Sequence, residues 1–160
     1  MRLLAFNEGH QHRIGALSDA GVVNLSRIDA AAPTDLGAEV KAGKLADIAA
    51  ILERADGAVH HQLDDLDLQL PVATPGKILC LGLNYMDHIA EGPFEKQPFP
   101  AIFMRSPTSL VPAKEPILAP LMSNSMDYEA ELAVIIGQTC KHLTADNALD
   151  VIAGYSCFND

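Results

Sequence analysis

The sequence contains no tryptophan, only 5% aromatic residues, and 11 basic residues against 21 acidic ones. The net charge of −10 argues against nucleic acid and anionic membrane surfaces as partners, because both bind basic patches. No apolar run approaches the roughly 18 residues of a membrane-spanning helix, and the start of the chain lacks a signal-peptide pattern. We therefore expect a cytoplasmic protein with no nucleic acid and no membrane as partner.

Cysteine is scarce as well, and its three positions lack the spacing of a metal site: Cys80, Cys140 and Cys157. Cys80 and Cys157 lie within apolar runs, so we expect both to be reduced core residues. No cysteine has the electropositive surroundings of a catalytic thiolate. The sequence also lacks a glycine-rich phosphate loop and the G-x-S-x-G turn of serine hydrolases.

Apolar residues are plentiful, and the 49% hydrophobic content with a mean hydropathy of +0.13 predicts a folded core. In the first part of the chain, strands are predicted over 3–6, 13–17 and 22–25, and an amphipathic helix over 45–55. Thr74, Pro75 and Gly76 then interrupt regular structure. We therefore predict one domain over residues 1–72 and a second over residues 76–160.

The second domain is predicted to consist of strands and loops, since seven of the ten prolines lie between Pro93 and Pro120. Strands are predicted over 78–83, 101–104, 116–118, 129–137 and 154–158. Short helices are predicted after Asn84 and near 146–152, with Asn84 and Thr144 as N-caps. The last strand ends without a frayed tail, which predicts a chain cut inside this domain.

Glu129 and Glu131 stand one residue apart at the head of an apolar, strand-like run. Strand alternation sends both side chains to one face, where two carboxylates roughly 6–7 Å apart repel each other. A hard divalent cation would remove this repulsion, since it binds anionic oxygens at about 2.0–2.6 Å. Residues 133–136 are apolar on both faces, which predicts a strand that enters a packed interior. The alternative is a solvent-facing strand end with two ordinary surface acids.

His88 and Glu91 stand three positions apart on a predicted helix, so their side chains are neighbours on one face. A carboxylate beside an imidazole raises the basicity of the ring and suits it to activating water near pH 7. The alternative is a surface pair that contributes little.

Two motifs stand in order within residues 77–160: Asn-Tyr-x-x-His-x-x-Glu over 84–91 and Asp-Tyr-Glu-Ala-Glu over 127–131. Together with residues 103–110, 153–155 and 159–160, they resemble the fumarylacetoacetate hydrolase family. Residues 1–72 match only generally the variable N-terminal domain of many bacterial members. The resemblance implies an α+β fold, with a small strand-and-helix domain before the first part of a mixed β-roll catalytic domain that is truncated at residue 160.

In that family an E-x-E pair and an aspartate one strand later hold a catalytic divalent ion. The resemblance therefore implies Glu129, Glu131 and Asp160 as metal ligands, with Mg²⁺ as the expected ion and Mn²⁺ or Ca²⁺ as alternatives. It also implies a His88–Glu91 dyad that activates or orients water. Because the family forms dimers through the catalytic domain, we expect a homodimer of the full-length protein.

The implied activity is metal-dependent hydrolysis of a C–C bond in a 1,3-dicarbonyl or 2-oxo acid, such as an acylpyruvate-like or fumarylacetoacetate-like substrate. A divalent ion suits this chemistry as a Lewis acid that stabilises enolate charge. Two alternatives stay open: a 2-oxo acid decarboxylase or hydratase/isomerase of the same family, and a catalytically dead interaction module. The 160-residue piece alone is expected to be inactive.

Overall fold

A computed structural model describes residues 1–93, 95 and 98–160, and for His88 it describes the backbone only. The chain forms two compact units, Met1–Ala73 with Val111–Asp160, and Thr74–Leu110. The first unit combines residues from both predicted domains. The division into residues 1–72 and 76–160 therefore stays a prediction.

A four-stranded antiparallel sheet in the first unit has the order β3-β2-β1-β4. Its strands are β1 (Arg2–Glu8), β2 (Gln11–Leu17), β3 (Val22–Asn24) and β4 (Asp67–Gln69). Gly9 has a φ of 62° in the turn between β1 and β2, a conformation that glycine adopts without strain. The first three strands confirm the predicted pattern, whereas the short β4 was not predicted.

Three short helices follow β3: α1 (Leu25–Ile28), α2 (Leu36–Ala42) and α3 (Leu45–Leu52). The helix predicted over 45–55 is confirmed as α3, but α2 is too short to produce a clear apolar period. Its ends are nevertheless well defined, because the Asp35 carboxylate accepts a hydrogen bond from the Ala38 N–H at 3.0 Å and Gly43 has a φ of 69°. The N-terminal core consists of Ile14, Leu25, Ala32, Leu36, Val40, Ile48 and Ile51.

The second unit contains β5 (Ile78–Gly82), α4 (Met86–Glu91) and β6 (Ala101–Arg105), with β5 and β6 paired antiparallel. Both strands confirm the prediction. The prediction of Asn84 as N-cap is wrong, since α4 is preceded by Tyr85 and has no side-chain cap. Leu83 has a φ of 53° in the turn between β5 and α4, and the helix begins one residue later than predicted.

The first unit also contains an antiparallel hairpin of β7 (Ala130–Ile136) and β8 (Ile152–Asn159). Ile135 pairs with Gly154 but Ile136 pairs with Ile152, so Ala153 is an extra residue at a β-bulge. Ile135 and Ala153 pack against the N-terminal core. The hairpin is therefore covered on the face that carries these two residues.

The opposite face of the hairpin is exposed through Leu132, Val134, Ile136 and Tyr155. The prediction that the strand is packed on both faces is therefore wrong for the part of the chain that the structure describes. Cys157, predicted to be a core residue, is exposed on this face, whereas Cys80 is buried as predicted. The physical reason is that the N-terminal core contacts only one side of the hairpin.

Two further local predictions are wrong. Residues 116–118 form no strand, because the segment begins with Pro116, Pro120 follows closely, and proline lacks the N–H that a ladder needs. Residues Ala148–Val151 form one 3₁₀ turn after Asn147 instead of an α-helix capped by Thr144. There the Asn147 Oδ1 accepts a hydrogen bond from the Thr144 N–H at 2.8 Å.

Short helices and antiparallel sheets confirm the α+β class, whereas the mixed β-roll stays a prediction. None of the helices in the described part of the chain has the length and apolar character needed to cross a membrane.

Candidate metal centre

The candidate metal centre lies at the end of the β7–β8 hairpin that is farther from the bulge. Ala130 pairs with Asn159, and the Asp160 N–H donates a hydrogen bond to the Glu129 carbonyl oxygen at 2.9 Å. Glu129 and Asp160 are thus directly opposite, and opposite residues project to the same face of a sheet. Glu131, two residues from Glu129, shares that face. Strand register therefore brings together three acids that are distant in sequence.

The three carboxylates form a close cluster. One oxygen from each of Glu129, Glu131 and Asp160 lies within 4.8 Å of the other two. Glu131 and Asp160 are half-buried. Like charges placed opposite each other on adjacent strands destabilise a sheet unless a positive charge compensates them.

The chemistry of these donors fits a hard divalent cation. Carboxylate oxygens suit Mg²⁺, Mn²⁺ and Ca²⁺, whereas softer ions favour sulfur or imidazole ligands. Two ligands that lie about 2.0–2.6 Å from one ion are at most roughly 4–5 Å apart. The observed spacing within 4.8 Å meets this condition.

Asn159 is a further residue of the site that sequence reasoning did not identify. Its Oδ1 accepts a hydrogen bond from the Glu129 N–H at 2.9 Å, just before β7 begins. The bond holds the backbone of the first carboxylate residue against the end of β8. The sequence offered one signal for this residue, which is that Asn159 stands next to Asp160. The hydrogen bond of its side chain with Glu129 depends on strand register, which the sequence does not show.

The predicted dyad lies on the other compact unit. Glu91 is the last residue of α4 and is exposed, and the backbone of His88 lies within the same helix. The His88 side chain lies outside the described residues, so its pairing with Glu91 stays a prediction. The structure thus brings the three predicted metal ligands together and leaves the dyad untested.

Comparison with protein families gives an independent result. The model described as "Fumarylacetoacetate (FAA) hydrolase C-terminal" matches residues 77–160, which is more than half of the chain. These residues include α4 and the whole β7–β8 hairpin.

Two curated proteins resemble the chain over all or nearly all of its length. The oxaloacetate tautomerase fahd2 of Xenopus laevis, a mitochondrial protein, is 32% identical over 169 aligned positions, which cover 100% of this chain and 51% of that protein. A fumarylacetoacetate hydrolase domain-containing protein 2 homolog of Dictyostelium discoideum is 28% identical over 157 residues, and the match covers 96% of this chain and 51% of that protein. The chain thus spans about half the length of these curated relatives.

Among solved structures, maleylpyruvate hydrolase from Sphingobium sp. SYK-6, in complex with manganese(II) and pyruvate, has a TM-score of 0.78 and 25% identity. The match covers 100% of this chain and 58% of that one. Taken with the family model, these likenesses establish that the chain belongs to the fumarylacetoacetate hydrolase family.

Proposed function

We propose that this protein is a divalent-metal-dependent hydrolase that cleaves a C–C bond in a 1,3-dicarbonyl or 2-oxo acid of the acylpyruvate or fumarylacetoacetate type. The observation that carries the proposal is the cluster of Glu129, Glu131 and Asp160. The similar Sphingobium enzyme, a maleylpyruvate hydrolase in complex with manganese and pyruvate, supports it, because pyruvate is a 2-oxo acid.

Glu129, Glu131 and Asp160 would hold the metal, and their oxygen-only donor set suits Mg²⁺, Mn²⁺ and Ca²⁺. Mg²⁺ is the ion that we propose, on the basis of the family to which the chain belongs. The bound ion would supply Lewis-acid stabilisation of the negative charge that develops on an enolate. The carboxylate cluster itself repels an anionic substrate, so these residues favour the substrate only when their charge is compensated.

His88 and Glu91 are proposed to act on the attacking water. Glu91 would accept a hydrogen bond from one ring nitrogen of His88 and so hold the other nitrogen ready to take a proton. His88 would then remove the proton from water as the water attacks the distal carbonyl carbon. This role follows from their spacing on α4 and from the family to which the chain belongs.

Calorimetric titration with Mn²⁺ tests the metal site directly. We expect the wild type to bind Mn²⁺ and Glu131→Gln to bind at least about tenfold more weakly, because an anionic ligand is lost. Glu115→Gln is the matched control, since Glu115 is an exposed acid in a loop. Equal binding by wild type and Glu131→Gln would show that the ion binds elsewhere.

A second candidate is an isomerase or decarboxylase acting on a 2-oxo acid such as oxaloacetate. The relative from Xenopus laevis, named an oxaloacetate tautomerase, favours this alternative. Parallel assays of acetylpyruvate cleavage, oxaloacetate decarboxylation and oxaloacetate enol–keto exchange separate the candidates. Water activation is needed only for cleavage, so loss of cleavage in His88→Ala with retained tautomerisation would assign the dyad to hydrolysis.

A third candidate is a catalytically dead interaction module. Its motivation is the broad exposed apolar face of the β7–β8 hairpin. It requires that neither the wild type nor Glu129→Ala binds millimolar Mg²⁺ or Mn²⁺. Measurable binding by the wild type that Glu129→Ala removes would exclude it.

We propose that the full-length protein is a homodimer. The apolar face formed by Leu132, Val134 and Tyr155 is suited to burial against protein. Light scattering coupled to size-exclusion chromatography measures the mass directly, and a monomeric mass at micromolar concentration would contradict the proposal.

A cytoplasmic location is also proposed, on the basis that Cys140 and Cys157 hold free, exposed thiols. Fractionation of cells that express the tagged protein tests it. Recovery in an oxidising compartment would overturn it.

A further inference from the structure

The β7–β8 hairpin is anchored at the end opposite to its carboxylates. Ile135 on β7 and Ala153 on β8 pack against the N-terminal core, which is formed by the first 51 residues of the chain. The carboxylates of Glu131 and Asp160 lie at the other end of the same two strands. One end of the hairpin therefore packs on the N-terminal core, and the other end carries the candidate metal centre.

The anchor and the metal centre share one face of β7. Glu131, Ala133 and Ile135 alternate with exposed residues, and all three are half-buried. Glu131 lies four residues from Ile135, or about 13 Å along an extended strand. Because successive side chains alternate, a slip of one residue at Ile135 would turn Glu131 to the opposite face.

The bulge fixes the anchor in one register. Ala153 is the extra residue of β8, and Gly137 beside it donates its N–H to the Val151 carbonyl oxygen at 2.8 Å. A Cβ atom on Gly137 would lie only 2.9 Å from the Ala153 Cβ, so the approach requires glycine. The bulge thus directs the Ala153 side chain to the N-terminal core.

We propose that docking of Ile135 and Ala153 on the N-terminal core positions Glu129, Glu131 and Asp160 for metal binding. An isolated two-stranded hairpin is only marginally stable in water, so the burial of Ile135 and Ala153 on the N-terminal core helps to hold the strands in register. The N-terminal core is then a support of the metal centre, and Ile135 is a positioning residue. This inference rests on the metal site proposed above.

The test compares Ile135→Ala with Val134→Ala in the 160-residue chain, with Mn²⁺ titration as the first measurement. Both substitutions remove a β-branched side chain from β7, but Val134 is on the exposed face. We expect Ile135→Ala to weaken Mn²⁺ binding on the order of tenfold, because small displacements of ligands are costly. Val134→Ala should bind as the wild type does, and Ile135→Val should restore most of the loss.

The second measurement is hydrogen exchange of the β7 amides without metal. Ile135→Ala should speed exchange at Glu131 and Ala133, whose N–H groups point toward β8, while Phe6 in the central strand β1 stays protected. Val134→Ala should leave the exchange rates of the β7 amides and of Phe6 unchanged. Equal effects of the two substitutions, or unchanged exchange at Glu131 in Ile135→Ala, would overturn the inference.

The two measurements also separate this inference from the proposed function. Absence of Mn²⁺ binding by the wild type would refute the metal site, and the inference would fall with it. Wild-type binding that is insensitive to Ile135→Ala would refute only the positioning role.

Discussion

The Asp160 N–H and the Glu129 carbonyl oxygen form a hydrogen bond of 2.9 Å that joins the two strands of the hairpin beyond their last paired residues. This bond places the side chains of both residues on one face, where Glu131 also projects. A backbone contact thus determines which acids can share an ion. Changes that loosen this end of the hairpin should therefore affect metal affinity before they affect the rest of the fold.

Asn159→Ala should weaken Mn²⁺ binding without unfolding the protein. The substitution removes the side-chain oxygen that accepts the Glu129 N–H at 2.9 Å. A hydrogen bond of this kind contributes about 0.5–1.5 kcal/mol, and we expect a rise in Kd of roughly 2- to 10-fold, measured by titration calorimetry. Asn159→Asp keeps an acceptor oxygen and should retain wild-type or tighter binding.

The matched control for Asn159→Ala is Asn147→Ala. The Asn147 Oδ1 accepts the Thr144 N–H at 2.8 Å, so the same type of bond is lost in the loop before β8. The Kd of Asn147→Ala for Mn²⁺ should stay at the wild-type value. A weakening as large as that in Asn159→Ala would show that general destabilisation, not the position of Glu129, controls affinity.

The sequence predicted the local parts of this site and missed the parts that depend on register. Alternation alone places Glu129 and Glu131 on one face, as observed. Asp160 entered only through resemblance to a family, because no local pattern shows which residue of β8 faces Glu129. The contact of Asn159 and the exposure of Cys157 depend on the same pairing.

The fold shows the same division between local and long-range information. The strands β1 and β2 and the helix α3 follow from apolar period and turn residues. The helix α2 spans only seven residues, too few for its period to stand out. The docking of Ile135 on the N-terminal core joins residues about one hundred positions apart in sequence, a contact that no propensity encodes.

Gly137→Ala should destabilise the bulge, because the added Cβ would meet the Ala153 Cβ at 2.9 Å. Overpacking of this kind costs about 1–3 kcal/mol, and urea unfolding measures it as a lower midpoint. Gly154→Ala, one residue from the bulge, is the control, since a Cβ there meets nothing within 4 Å. Equal loss in both variants would mean that the close approach at Gly137 is not the cause.

The N-terminal sheet should lose stability as pH falls below about 6.5. The Nδ1 atom of His60 accepts a hydrogen bond from the Asn24 N–H at 3.0 Å, which requires an unprotonated nitrogen. Burial lowers the pKa of His60, with further lowering by the charges of Arg27 and His61 and a smaller opposing effect of Glu8.

The sign of the pH effect follows from this shift. Well above the ordinary pKa of 6.5 the His60 ring is neutral in both the folded and the unfolded chain, and the contribution of His60 to the free energy of unfolding is complete. As pH falls below 6.5 toward the lowered pKa of folded His60, the unfolded chain binds more protons and stability declines. Urea unfolding at about pH 7.5, 6.5 and 5.5 measures the slope, which should flatten in His60→Gln.

Glu8 acts in a separate, more acidic range. The hydrogen bond from Arg27 is the main cause that lowers the pKa of Glu8 from its ordinary 4.5. The contribution of Glu8 to the free energy of unfolding is therefore complete above pH 4.5 and is lost as the pH falls through the lowered pKa.

An unchanged slope between about pH 6.5 and 5.5 in His60→Gln would contradict the prediction for His60, because it would assign the loss of stability in that range to other groups.

Divalent metal should raise the melting temperature of the protein through the three carboxylates. A ligand at one hundred times its Kd stabilises the folded state by about 2.7 kcal/mol, which corresponds to roughly 5–10 °C for a chain of this size. Scanning calorimetry after EDTA treatment, and then with excess Mn²⁺, measures the shift. Glu131→Gln should lose at least about half of it at the same Mn²⁺ concentration, because one of the three oxygens within 4.8 Å no longer carries charge. An undiminished shift in Glu131→Gln would place the ion elsewhere, for example at the acidic segment of Asp64, Asp65 and Asp67. Asp65→Asn then distinguishes the two locations, since it should leave the shift intact if the hairpin holds the ion.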